Sequence, residues 1–185
     1  GAYFSNVGMV YYQNKNIERA IFYLQLSTNI NPASIDAQNN LANIYSEQNN
    51  YKEAIAHYNL ALKSSAGNFS TLFNLGLAYQ ENGNLDKAIK SFLQVVQQDS
   101  SFIPAHQALA NLYLKNNRII SSLLHLKVLA KLQPQILQNK INIAKAFNRL
   151  KLHPLAIQTL ESLKQKFTGD ERIHAGLAET YYRMN

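Results

Sequence analysis

The chain has 185 residues, 46% of them hydrophobic and 16% charged, with 4 Pro, 7 Gly and no Cys. That composition fits one buried core or one repeat array, and it excludes a disordered or fibrous chain, disulfides, thiolate metal sites and cysteine nucleophiles. A formal charge of +7 brings an acidic partner or polyanion into view.

No apolar run approaches the roughly 18–20 residues that a membrane helix needs. The chain opens on Gly1 rather than Met, with no basic-then-apolar leader behind it, so it is expected to be a piece of something longer. The lack of cysteine leaves the compartment open between cytoplasm and periplasm, the cytoplasm slightly favoured.

Two amphipathic helices come first. Phe4, Val7, Gly8 and Tyr11 share one face of the first helix, and Ile17, Ala20, Ile21 and Leu24 share one face of the second. Pro32 closes the pair. The same types return 34 residues later as Leu41, Ala42 and Tyr45, the turn Asn49-Asn50, then Ala54 and Ile55. They return again as Leu75, Gly76 and Tyr79, the turn Gly83-Asn84, then Ala88 and Ile89. A fourth copy reads Leu109, Ala110 and Tyr113, Asn117-Arg118, Ser122 and Leu123, closed by Pro134. Ile143, Ala144, Phe147, Ala156 and Ile157 make a fifth, and Leu177, Ala178 and Tyr181 begin a sixth. The register holds without insertion. The units are therefore 1–34, 35–68, 69–102, 103–136 and 137–170, with 171–185 as the first helix of a sixth.

Each column has a packing reason. The small residues at Gly8, Ala20 and their equivalents let the two helices of a unit approach closely, and the aromatic at Tyr11 fills the space between that pair and its neighbour. Gly and Asn in the turns tolerate positive φ, and Asn is expected to cap the next helix. The later units depart most: Ser122 replaces alanine, and the Ser27 column grows through Ala61 and Val95 to Leu129 and Leu163. Ala66, Ser100 and Thr168 stand in the Pro32 column. The bulkier contacts predict a change of curvature after about residue 102.

These spacings and types resemble the tetratricopeptide repeat family over residues 1–185. The resemblance implies an all-α solenoid of antiparallel helix pairs stacked into a right-handed superhelix. Its first helices would line a concave groove that binds peptides or partner domains. The family serves many roles, so three remain open: a non-catalytic adaptor or scaffold, the interaction domain of a larger enzyme such as a sugar-transferring one, or a scaffold for bacterial envelope, secretion or pilus assembly.

Little points to chemistry. His57, His106, His125, His153 and His174 show no spacing of three or four that would pair them on one helix face, and they are read as surface or packing residues. The glycines follow no phosphate-cradling pattern. Asn68-Phe69-Ser70 fits a glycosylation sequon, which matters only in a secreted eukaryotic chain. No catalytic, cofactor or metal residue is expected, and the chain is read as not an enzyme.

Groove columns are the candidate site. Asn6, Asn40, Asn74 and Asn142 share one column, and the Met9 column adds Asn43 and Asn111. A side-chain amide both donates and accepts, as a peptide group does. In peptide-binding members of the resembled family, asparagines at this place grip an extended ligand's backbone. Co-chaperone members instead clamp a chaperone tail with two cations and two asparagines. The matching Ser5, Met9, Asn40, Ser70 and Asn74 carry no cation, and only Gln107, Asn111, Asn142, Arg172 and Gly176 match in part, so no such clamp is expected.

Charge is uneven. Residues 1–99 hold 6 Lys+Arg and 7 Asp+Glu, a net of −1, whereas residues 100–185 hold 12 and 4, a net of +8. Lys115, Lys145, Arg149, Arg172 and Arg183 fall in groove columns, so this half is expected to dock an acidic segment. No nucleic-acid motif accompanies the charge. The open last helix adds self-association as a further expectation.

Overall fold

A computed structural model describes residues 1–65 and 67–184; Ala66, noted above in the proline column, lies outside them. Helical periodicity broken by Asn, Gly and Pro predicts helix pairs, and the described residues form helices and no strands. They are α1 (Ala2–Gln13), α2 (Ile17–Ile30), α3 (Ile35–Glu47), α4 (Tyr51–Ser64), α5 (Phe69–Glu81), α6 (Leu85–Gln98), α7 (Ile103–Lys115), α8 (Ile119–Leu132), α9 (Leu137–Arg149), α10 (His153–Lys164) and α11 (Glu171–Met184). Two compact units result, Gly1–Ser100 with α1 to α6 and Ser101–Asn185 with α7 to α11. None of the helices is long and apolar enough to cross a membrane.

In the first unit, Ala20 and Leu24 of α2 bury against Leu41 and Ile44 of α3. Ala42 and Ala54 do the same with Tyr58, Leu75 and Ala78 one repeat later. Tyr45 packs against both clusters, which is the bridging role expected of its column. The second unit repeats the arrangement with Phe147, shared between a cluster around Ala110, Leu126 and Ile143 and another around Ala144, Leu160 and Ile173. Ser122, the exception in an alanine column, is fully buried and donates its hydroxyl to the Ala110 carbonyl at 2.9 Å. The bond satisfies the polar atom that the substitution introduces.

The turn inside each hairpin has one backbone shape. Lys15, Asn49, Gly83, Asn117 and Lys151 stand 34 residues apart and all take φ between 57° and 78°. Asn and Gly there match expectation, whereas Lys15 and Lys151 adopt the same shape without the favoured side chain. A repeated main-chain bond holds it: the next residue's N–H reaches back to the carbonyl of Tyr11, Tyr45, Tyr79, Tyr113 or Phe147 at 2.8–2.9 Å. Capping is less regular than expected. Asn16 and Asn84 accept from the N–H groups of Arg19 and Lys87, but Asn50 makes no side-chain capping bond to α4. The expectation of a cap at Asn50 is corrected: its side chain makes no bond to α4, although its main-chain N–H donates to the Tyr45 carbonyl as at the other turns.

Candidate functional site

The first helices α1, α3 and α5 lie side by side in the first unit and enclose a cleft of about 290 Å³. Their small-residue faces are spent on the helices beneath, so the columns between those faces point into the opening. Asn40, Asn43 and Asn74 line it, with Met9, Ile44 and Leu77 as the apolar walls and Tyr12, Glu47 and Tyr58 completing it.

Asn43 is the hub. Its Oδ1 accepts from the Tyr58 hydroxyl at 2.6 Å and from Asn74 Nδ2 at 3.3 Å. Tyr58 belongs to the core column of α4 and is only 2% exposed, so its ring packs between the helices while its hydroxyl meets the cleft. Burial pushes that phenol above its ordinary pKa. Asn40 is half-buried and its amide has no bond to any other described residue. The amide groups left unused are therefore both groups of Asn40, the Asn43 Nδ2 and the Asn74 Oδ1, two donors and two acceptors in one cleft.

At the other end of the cleft, Tyr12 donates its hydroxyl to Glu47, 2.6 Å from each carboxylate oxygen. That bond, then burial and the carboxylate's charge, raises the Tyr12 phenol's pKa. Glu47 is the single charged residue in the lining.

The remaining expected groove residues scatter. Asn6 is exposed on α1 outside the cleft lining, and Asn111 is exposed on α7. Asn142 is half-buried and accepts from Gln138 at 2.9 Å within α9. Lys115 and Lys145 are exposed to solvent. Arg149 donates to the Leu114 carbonyl and to Asn117 Oδ1. It also borders a cleft of about 420 Å³ with Asn148, Lys151, His153 and Arg183. Arg172 is held by both oxygens of Asp170 at 3.0 and 2.7 Å, so its charge is largely answered locally. Arg183 was expected with Arg149, since the two share a groove column 34 residues apart, whereas Lys151 belongs to the turn after α9 and only the fold brings it to that opening. Tyr58 was also missed, although a tyrosine in a column otherwise Leu or Phe signals a hydroxyl in need of a partner.

The histidine columns turn out to face each other across a hairpin. His106 and His125 meet Nδ1 to Nδ1 at 2.9 Å, and His57 bonds Gln38 in the equivalent place at 2.7 Å. Burial, with the neighbouring His106 second, lowers His125 to about 4. Among the described residues, no group of three or more His, Asp or Glu could hold a metal ion.

Comparison with known proteins follows the repeat. Models of the tetratricopeptide repeat match residues 2–34 and 69–102, and a TPR repeat model matches residues 42–83. No curated protein matches the chain in sequence. Among solved structures, a tetratricopeptide repeat protein from Parabacteroides merdae ATCC 43184 is similar at TM-score 0.76 and 17% identity, over 99% of this chain and 73% of that one. MamA protein is similar at 0.78 and 13%, over 89% and 90% of the two chains. YrrB, described as a TPR protein with an unusual peptide-binding site, is similar at 0.76 and 15%, over 93% and 89%. At these identities the likeness shows the fold alone.

Proposed function

We propose that this chain, which belongs to the tetratricopeptide repeat family, is a non-catalytic protein–protein interaction scaffold that grips an extended partner segment in the cleft between α1, α3 and α5. The observation that carries the reading is the set of unspent amide groups on Asn40, Asn43 and Asn74. Two donors and two acceptors match the alternating N–H and C=O groups of an extended backbone, and Met9, Ile44 and Leu77 offer apolar contact beside them. Each such hydrogen bond contributes about 0.5–1.5 kcal/mol net, which makes the grip modest and tolerant of sequence.

Asn40→Ala is the direct test, because that side chain has no bond within the described protein to lose. Binding of a captured partner peptide should weaken about five- to tenfold, the loss of one or two such bonds, with helicity and melting temperature unchanged. An affinity equal to that of the unaltered chain would remove the cleft from consideration. Asn74→Ala should weaken binding as well, though it also removes one of the two donors to the Asn43 carbonyl, which keeps Tyr58.

A second reading rests on the net charge of +8 over residues 100–185 and on Arg149, Lys151 and Arg183 around one opening of the second unit. This unit docks an acidic segment. Arg149→Glu with Lys151→Glu should abolish binding of an acidic peptide, and rising salt should weaken it. Affinity indifferent to salt would count against it.

A further inference from the structure

The cleft of the first unit has a polarity that the repeat does not explain. Its amides are neutral and its walls apolar, yet it holds one carboxylate, Glu47, and no cation. Among the described residues no ion pair includes Glu47, whose exposed carboxylate has the Tyr12 hydroxyl as its hydrogen-bond donor and no cation beside it. From this we infer that the cleft selects a basic residue in the segment it holds, lysine ahead of arginine, with Glu47 as the specificity-determining group. The inference rests on the peptide-gripping reading and adds a side-chain preference to it.

Geometry sets the order of the two cations. The Tyr12 hydroxyl lies equally far, 2.6 Å, from both oxygens of Glu47, and therefore sits in the mouth of the carboxylate. A guanidinium needs that mouth for its paired, parallel bonds. The outward lone pairs of each oxygen stay open, and a lysine ammonium, a compact charge with three donors, needs only one of them. Its aliphatic stem can lie along Met9, Ile44 or Leu77 while the head reaches the carboxylate. Tyr12 is then a positioning residue, which holds the carboxylate and narrows the choice of cation.

The test uses the 185-residue chain and a display library of random 12-residue peptides. Peptides that depend on Asn40 should carry lysine at one fixed place. Replacing that lysine by norleucine should weaken binding about fivefold to the unaltered chain, the upper end for a solvent-accessible ion pair, and should change nothing for Glu47→Gln. Tyr12→Phe opens the mouth of the carboxylate and should raise arginine peptides relative to lysine peptides, which a merely structural tyrosine would not do. A lysine-to-norleucine change without effect on the unaltered chain, or a preference for lysine that survives Glu47→Gln, overturns the inference. Asn40-dependent peptides with no basic residue enriched overturn it while leaving the grip on backbone intact. Failure of any peptide to depend on Asn40 overturns both.

Discussion

Replacing Gly76 by alanine tests the packing beneath the cleft most directly. A Cβ built there comes within 2.6 Å of Phe92 Cε1 and 2.9 Å of two more atoms of the same ring. Phe92 is fully buried, so its ring has no solvent to swing into. Helix propensity alone favours alanine by about 1 kcal/mol. Overpacking a core typically costs about 1–3 kcal/mol, and a contact this short against a rigid ring belongs at the upper end. The net expectation is a loss of about 1–2 kcal/mol, or roughly 3–6 °C in melting temperature followed by circular dichroism. Leu126 and Leu160 occupy the Phe92 column where alanine stands at Ala110 and Ala144, so Phe92→Leu should relieve the clash. The double variant should be more stable than the sum of its single changes predicts. Gly76→Ala as stable as the unaltered chain, or strict additivity with Phe92→Leu, would refute the reasoning.

Two further outcomes follow from the hairpins. His125, lowered to about 4 in the fold against 6.5 when unfolded, is neutral in the native state, so its contribution is complete above pH 6.5 and is lost as pH falls toward 4. The full shift corresponds to about 3 kcal/mol, and the partly exposed ring reduces this to roughly 1 kcal/mol. Urea midpoints measured from pH 7 to pH 4 should fall less steeply for His125→Tyr, the residue type that Tyr23 supplies in the same column, and parallel curves would count against the assignment. Lys15→Gly should stabilise the first turn by about 0.5–1 kcal/mol, since the left-handed conformation costs lysine about 1–2 kcal/mol and glycine's added unfolded-state entropy returns part of that. A lower melting temperature for that variant would show that the turn bears no strain.

How much of the cleft could be read from the sequence differs by residue. Asn40, Asn43 and Asn74 were legible because a helix face repeats at fixed spacing and the groove columns follow from the packing columns. Glu47 was less so, since it stands in the Gln13 column and its meaning depends on the Tyr12 hydroxyl 35 positions away. Asn142 fits the same column as Asn40 and Asn74, yet it bonds Gln138 on its own helix. Arg172 stands in a groove column, and Asp170 binds it.

By itself, then, the sequence determined the helices, their turns and the residues between them, because a period of 34 leaves one way to bury Ala20, Ala54, Ala88 and Ala156 against small partners. Even the positive φ at Lys15 and Lys151 obeys the period, since the backbone bond to the preceding aromatic residue's carbonyl does not depend on the side chain. Only tertiary structure decided which polar groups are free. Asn40 keeps both amide groups, Asn43 spends its carbonyl on Tyr58 and Asn74, and the Glu47 carboxylate is held by Tyr12. A hydrogen bond depends on distance and direction between residues far apart in the chain, and column membership carries neither.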